Sequence, residues 1–97
     1  RRATGKFDFE ISAKNMRKAD TSFPMDYGET ITITASYAPA AASVDFGLID
    51  SDGVFYPVPG SNGSINQTIR IDLRGTYTFA VRNNSNYKVS VSGFVNY

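Results

Sequence analysis

The sequence predicts an all-β fold: an antiparallel β-sandwich of seven or eight strands, with jelly-roll or immunoglobulin-like connections. Three observations predict it. Apolar and polar residues alternate with a period of two in segment after segment, which is typical of half-buried strands. Turn residues recur about every ten residues. Aromatic residues make up 13% of the chain, and all of them are Phe or Tyr, which favour pleated strands over helices.

A length of 97 residues is enough for one domain and too short for two ordinary ones, so residues 1–97 are predicted to form a single sandwich. Residues 7–12 alternate regularly and predict the first strand. For the polar stretch 14–21 we expect a short helix or an irregular loop. Residues 21–25 predict a brief strand at a sheet edge, because Pro24 has no N–H to donate to a neighbour.

The central part of the chain contains the clearest strand. Residues 26–29 form a predicted turn around Gly28. Residues 30–35 then alternate without interruption and place Ile31, Ile33 and Ala35 on the inner face of the sheet. The alanine-rich residues 38–42 predict a crossing between the two sheets, because Pro39 biases the residue before it towards an extended conformation.

A hairpin is predicted next. Residues 44–48 point Val44, Phe46 and Leu48 inward, residues 50–53 make a tight turn, and residues 54–56 return as the partner strand. Pro57 and Pro59 weaken pairing at its end, and residues 60–64 form a flexible loop.

Three further segments complete the predicted strands. Ile65, Ile69, Ile71 and Leu73 mark one inner face, with Gln67 as a polar exception in the alternation. Residues 76–81 form the next strand. We expect residues 83–86 to be a hairpin loop, since Asn tolerates left-handed backbone angles, and the last strand to span residues 87–95.

Composition excludes several classes of function. The sequence has no Cys, so it offers no disulfide, thiolate nucleophile or zinc–sulfur site, and without His it lacks a Ser–His pair. The net charge of +1 gives no general attraction for nucleic acid or an anionic membrane, although basic residues cluster near the start. No apolar run approaches the roughly 20 residues that span a bilayer. We therefore predict no nucleic-acid partner and no membrane insertion.

Three segments resemble a known family. Ser-Val-Asp-Phe-Gly-Leu at 43–48, Gly-Thr-Tyr-Thr-Phe-Ala-Val at 75–81 and Tyr-Lys-Val-Ser-Val at 87–91 resemble bacterial pre-peptidase C-terminal-like domains. Those small secreted β-sandwiches carry an Asp-x-x-Leu strand and a Gly-Thr-Tyr strand near their end. The ending, 83–97, is similar to the tail of small uncharacterised secreted proteins of Gram-positive bacteria.

The resemblance covers about half of the chain. It implies a non-catalytic accessory module that is secreted or displayed at the cell surface beside something larger, and it carries no binding residues over. The start of the chain at Arg1 and Arg2, without a methionine, predicts a trimmed mature form or an excised part of a longer chain.

No catalytic arrangement is predicted. A Ser–Lys pair, with a lysine at 6, 14, 18 or 88 as its base, is the remaining form of nucleophilic catalysis, and Ser12-Ala13-Lys14 has the wrong spacing for it. Asp45, Asp50 and Asp52 lie close in sequence, as paired carboxylates of a hydrolase would, but Asp50 and Asp52 also fit a turn whose amides they cap. We expect no enzymatic activity, and a small hydrolase is the least favoured alternative.

Asp50-Ser51-Asp52-Gly53 is also similar to the beginning of a calcium loop. It lacks the further acidic residue and the bidentate Glu of that motif. A weak calcium site at Asp50 and Asp52 would need completion by Asp20 or Asp26, and the turn interpretation is preferred. No other cofactor is expected.

Exposed tyrosines are the candidate binding residues. Tyr offers a rigid face that is apolar on one side and carries a hydroxyl. We single out Tyr56 first, then Tyr27 and Tyr37, as a platform for a protein or a polysaccharide at the cell envelope. The alternative function is a structural subunit or spacer that assembles through strand edges. The sequence leaves the oligomeric state open. Asn62, Asn66 and Asn83 begin sequons, for which no occupancy is expected in a bacterial protein.

Overall fold

The computed structural model describes residues 4–97, apart from the side chain at position 21, and confirms the predicted β-sandwich. Within that part of the chain there are eight strands and no helix, and hence no helix able to cross a membrane. The strands are β1 Thr4–Ile11, β2 Met16–Met25, β3 Thr30–Ala38, β4 Val44–Ile49, β5 Phe55–Pro59, β6 Ser64–Arg70, β7 Gly75–Asn83 and β8 Val89–Asn96.

The strands form two four-stranded sheets with jelly-roll topology. Sheet one has the order β1-β8-β3-β6, and sheet two has the order β2-β7-β4-β5. The first strand pairs with the last, the second with the seventh, the third with the sixth and the fourth with the fifth, always antiparallel. A long antiparallel hairpin rolled upon itself gives this order, which is that of a jelly roll and not of an immunoglobulin domain.

The core lies between the sheets and follows the predicted alternation. Ile31 and Ile33 of β3 are fully buried, as are Phe46 and Leu48 of β4. Burying each such side chain stabilises the fold by roughly 1.5–3 kcal/mol relative to leaving it in water. The predicted inner faces of residues 30–35 and 44–48 are therefore confirmed.

The prediction of a helix or loop at residues 14–21 is wrong, because β2 begins at Met16. This strand is at an edge of sheet two, as Pro24 predicts, and its register with β7 shifts between Lys18 and Ser22. Arg17 lies opposite the core residue Val81, with its guanidinium carbon 5.0 Å from the ring centroid of Phe9. The inward arginine and the bulge leave the first half of this strand without an apolar alternation, whereas Phe23 and Met25 of its second half are buried.

Two strand boundaries and one connection drawn from the sequence also differ. β6 ends at Arg70, so Leu73 is not a core residue of that strand, although Ile71 is buried. β8 begins at Val89, which leaves Tyr87 outside it. The connection 84–88 is not a hairpin loop, since it joins β7 of sheet two to β8 of sheet one. In a jelly roll only the central connection, 50–54 here, joins neighbours within one sheet.

The connections lie at two ends of the sandwich. We call the end formed by 26–29, 50–54 and 71–74 the cleft end, and the other, formed by 12–15, 39–43, 60–63 and 84–88, the opposite end. The predicted sheet crossing at 38–42 is confirmed and lies at the opposite end.

Asn83 organises the opposite end. It is fully buried, and its side-chain nitrogen is 3.0 Å from the carbonyl oxygen of Ile11, 3.2 Å from that of Ser12 and 2.7 Å from that of Tyr87. Its side-chain oxygen accepts the N–H of Ser85. One amide thus joins the first and last sheet crossings, and its burial keeps this sequon out of reach of a glycan in the folded chain.

Candidate binding cleft

A cavity of about 260 Å³ opens at the cleft end, between the edge strands β5 and β6. Leu48, Ile71 and Tyr77 are buried and form its floor, while Tyr56 and Leu73 stand exposed at its rim. The lining is completed by Ile69, Arg70 and Asp72. An apolar floor with a few polar groups around it is the usual composition of a ligand site.

Tyr56 reaches the cleft because of the register of the β4–β5 hairpin. It pairs with Leu48, so both side chains are on the inner face of sheet two. Leu48 is covered by the sandwich, whereas Tyr56 is on an edge strand and remains 48% exposed. The period-two alternation therefore aims this tyrosine into the gap between the sheets.

Asp50 holds the Tyr56 ring in place. The Tyr56 hydroxyl donates to Oδ2 of Asp50 at 2.7 Å, and Oδ1 of Asp50 accepts the N–H groups of Asp52 and Val54, each at 2.9 Å. The phenol and then the Val54 amide hold the pKa of Asp50 below its ordinary value of 3.8. The same hydrogen bond raises the pKa of Tyr56 above 10.0. At neutral pH the pair is a carboxylate and a neutral phenol.

The connection 71–74 is tied down on both sides. Ile71 exchanges backbone hydrogen bonds with the 26–29 turn, donating to Glu29 at 2.8 Å and accepting from Gly28 at 2.9 Å. The Tyr77 hydroxyl donates to the carbonyl oxygen of Leu73. The backbone of 71–74 is thus hydrogen-bonded both to the 26–29 turn and to Tyr77. It holds Leu73 at the surface, where the side chain is 71% exposed.

Arg70 connects two of the predicted tyrosines. Its guanidinium carbon lies 5.5 Å from the ring centroid of Tyr27, and Arg70 also lines the cleft that contains Tyr56. Tyr27 and Tyr56 therefore belong to the same end of the molecule. Tyr37 does not, because it is only 6% exposed and packs against Phe46 in the core, so its prediction as a binding residue is wrong.

Sequence reasoning missed Leu73, Arg70 and Tyr77 as parts of this site. Leu73 continues the spacing of Ile69 and Ile71, and that spacing by itself predicts a core position. Its surroundings, Asp72 and Arg74 in a turn, are the signal that could have separated it from a strand.

The acidic residues near the turn 50–53 are engaged locally or lie apart. Both oxygens of the Asp50 carboxylate are engaged within its turn and by Tyr56. Across residues 4–97 no three acidic side chains come together around a point. The weak calcium site at Asp50 and Asp52, completed by Asp20 or Asp26, stays a prediction.

Asp45 lies at the other end of β4, where it accepts from Arg82 at 2.6 Å and from Asn84 at 2.9 Å. It is roughly 16 Å along the strand from Asp50, beyond the separation of paired catalytic carboxylates.

Comparisons with known proteins give no family for this chain. No family model and no curated protein matches the chain. The SPBc2 prophage-derived protein YomS is similar over 98% of this chain and 96% of its own, at 15% identity and a TM-score of 0.46. A family two carbohydrate esterase from Cellvibrio japonicus is similar over 97% of this chain but 33% of its own, at 12% identity and a TM-score of 0.40. The resemblance to pre-peptidase C-terminal-like domains stays a prediction.

Proposed function

We propose that this chain is a non-catalytic binding module of a secreted or cell-surface protein, and that the cleft between β5 and β6 receives an apolar side chain of a protein partner. The observation that carries the proposal is the combination of a buried apolar floor with Leu73 exposed on its rim. The secreted context is what the family resemblance of residues 43–48, 75–81 and 87–91 implies.

The size and chemistry of the cleft support one small anchoring group. A volume of about 260 Å³ is slightly below the roughly 300–1,000 Å³ of drug-sized ligand sites and suits one side chain or one sugar ring. Exposed apolar groups beside a pocket mark interaction sites, and Tyr and Arg are frequent among residues that dominate binding energy. Tyr56, Arg70 and Leu73 provide that combination.

A polysaccharide ligand is the second candidate. The observation that favours it is the position of Arg70 and Asp72 on the same rim as the Tyr56 ring. A sugar ring packs on an aromatic face while its hydroxyls bond to charged side chains around it. The protein partner is preferred because the Leu73 side chain, 71% exposed on the rim, offers a sugar no hydrogen bond.

The absence of catalysis is supported by the chemistry of the chain. The sequence contains no imidazole or thiol. The carboxylate bonded to the cleft residue Tyr56, that of Asp50, is committed to two backbone amides and a phenol. It is held ionised, which is unsuited to a general acid at neutral pH.

The experiment is a selection of a phage-displayed random peptide library on immobilised protein, run in parallel with a glycan array. We expect peptides with an aliphatic or aromatic anchor, whose affinity falls about tenfold or more (~1.4 kcal/mol) in Leu73→Ser and Tyr56→Ser. Tyr87→Ser is the matched control, because Tyr87 is 45% exposed but lies at the opposite end.

Each outcome has a definite meaning. Peptides that bind Leu73→Ser as well as the native chain, or a library that yields none, would refute the protein-binding proposal. Glycan binding that is lost in Tyr56→Ser and retained in Tyr87→Ser would establish the second candidate instead.

A further inference from the structure

Three of the four sheet edges carry features that hinder pairing with another chain. The edges are β1 and β6 in sheet one, and β2 and β5 in sheet two. Proline, charged side chains and bulges are the usual means of blocking an edge. They are found as follows: Pro57 and Pro59 in β5, Pro24 and the register shift after Lys18 in β2, and Lys6, Asp8 and Glu10 along β1.

The fourth edge, β6, has none of these features. Its residues are Ser-Ile-Asn-Gln-Thr-Ile-Arg, with neither proline nor lysine and with a charge only at the final Arg70. Its pairing with β3 runs without a shift from Ser64 opposite Ser36 to Arg70 opposite Thr30. β6 thus offers seven regular residues on its open side.

The sequence of β6 is nearly symmetric about Gln67. Asn66 and Thr68 on either side are polar, Ile65 and Ile69 come next, and Ser64 and Arg70 end the strand. If two copies pair antiparallel about this centre, isoleucine meets isoleucine and polar meets polar. No two like charges face each other, which is the pattern that stabilises cross-strand pairs.

Gln67 itself is an exception to the alternation of the strand. It is paired with Ile33, so it shares the inner face with Ile65 and Ile69, yet its side chain is polar and exposed. At the centre of a symmetric pair, its amide can bond with the same amide of the second copy. Neighbouring registers that keep the inner faces aligned would set Gln67 against an isoleucine, so the amide pair selects one register.

We propose that β6 pairs antiparallel with β6 of a second copy of this chain about a two-fold axis at Gln67. This pairing joins sheet one of each copy into a single sheet of eight strands. Such an interface is isologous, since each residue of one copy meets its symmetry-related partner in the other. The pairing includes Ile69 and Arg70, which line one side of the cleft, and it ends there, so Ile71, Asp72 and Leu73 lie beyond it. The dimer carries two clefts, and the pairing does not depend on what they bind.

Sedimentation equilibrium on the chain, from micromolar to millimolar concentration, tests the proposal. We expect the mass to rise with concentration from the 10.6 kDa of one chain to twice that value. Gln67→Lys and Gln67→Glu each place like charges opposite one another at the axis, and each should weaken the dimer about tenfold or more. Asn86→Lys, exposed at the opposite end, is the matched control and should not change the dimer.

Mixing the two charge variants gives the most specific readout. At the axis, the introduced lysine of one copy would then face the introduced glutamate of the other. An equimolar mixture of Gln67→Lys and Gln67→Glu should therefore recover the dimer that each variant alone forms more weakly. Circular dichroism of each variant confirms that the fold is kept.

Two results would overturn the pairing: a native chain that stays monomeric at millimolar concentration, or a dimer that Gln67→Lys leaves intact. The two proposals fail separately. A monomer whose peptide binding depends on Leu73 refutes only the β6 pairing, and a Gln67-dependent dimer with no cleft ligand refutes only the proposed function.

Discussion

The phenol of Tyr56 and the carboxylate of Asp50 form a 2.7 Å hydrogen bond that fastens the rim of the cleft to the β4–β5 turn. The same carboxylate closes that turn through the amides of Asp52 and Val54. Folding of the hairpin and placement of the exposed ring therefore depend on one ionised group.

The first prediction concerns this pair. In Tyr56→Phe the pKa of Asp50 should rise towards 3.8, because the phenol is the largest cause of its lowered value. A group whose pKa is depressed by folding stabilises the fold above its unfolded pKa and loses that contribution as pH falls through the folded pKa. The native chain should thus exceed Tyr56→Phe in stability at neutral pH, and the difference should vanish in acid. The chemical shift of the Asp50 carboxyl carbon, followed by NMR as a function of pH, measures this pKa. An Asp50 pKa that is the same in Tyr56→Phe and in the native chain would contradict the hydrogen bond.

Two tyrosines should respond oppositely to loss of the hydroxyl. The Tyr37 hydroxyl is buried and has no hydrogen-bond partner among the described residues, whereas the Tyr77 hydroxyl donates to Leu73. Tyr37→Phe should raise the free energy of unfolding by about 1 kcal/mol, and Tyr77→Phe should lower it by about 1 kcal/mol. Urea denaturation measures the free energy of unfolding of both variants. If the two substitutions changed it equally, the hydroxyl groups of Tyr37 and Tyr77 would not differ in hydrogen bonding as described.

Asn83 should be the most sensitive polar position. Asn83→Ala leaves the carbonyl oxygens of Ile11 and Tyr87 and the amide of Ser85 without their partner in a buried region. We expect a loss of about 3 kcal/mol in the free energy of unfolding. Asn86→Ala, at an exposed position of the connection that follows Asn83, should change it by less than about 0.5 kcal/mol. Similar losses in the two variants would refute the role of Asn83.

Gly47 should tolerate no side chain. A Cβ atom at this position would overlap the carbonyl oxygen of Tyr56 on the neighbouring strand, and would lie 3.2 Å from the Phe55 ring. Gly47→Ala should therefore destabilise the chain by about 3 kcal/mol. Gly5→Ala is the control, since its Cβ would meet Val95 at an ordinary 3.6 Å. Thermal unfolding of the two variants distinguishes them, and comparable melting temperatures would contradict the close approach at Gly47.

Much of the fold could be predicted because the inner strands alternate clearly. In β3 and β4 every second residue is apolar and buried, so pattern and structure coincide. β2 could not be found this way, because Arg17 occupies an inward position at an open edge and the bulge after Lys18 shifts the alternation. The path of the connection 84–88 could not be predicted either, because turn residues indicate a change of direction, not which sheet the chain enters next.

The candidate site was predictable only in part. Tyr56 and Tyr27 could be found because large aromatic residues beside turns tend to be exposed. Their shared location depends on Arg70 and on the pairing of 26–29 with Ile71, which join residues distant in sequence. The sequence pattern also does not separate the buried Tyr37 from the exposed Tyr56 and Tyr27, because Tyr37 is covered by Phe46, which belongs to another strand.

The rolled hairpin also sets the order in which the chain can acquire structure. Thr4 of β1 pairs with Asn96 of β8, and β2 pairs with β7, so the strands synthesised earliest find their partners last. During synthesis β1 and β2 therefore stay unpaired, with exposed strand edges that can aggregate, until nearly all of the described chain has left the ribosome. A topology in which the paired strands are far apart in sequence folds slowly. The unpaired strands are therefore available to a chaperone for a long time.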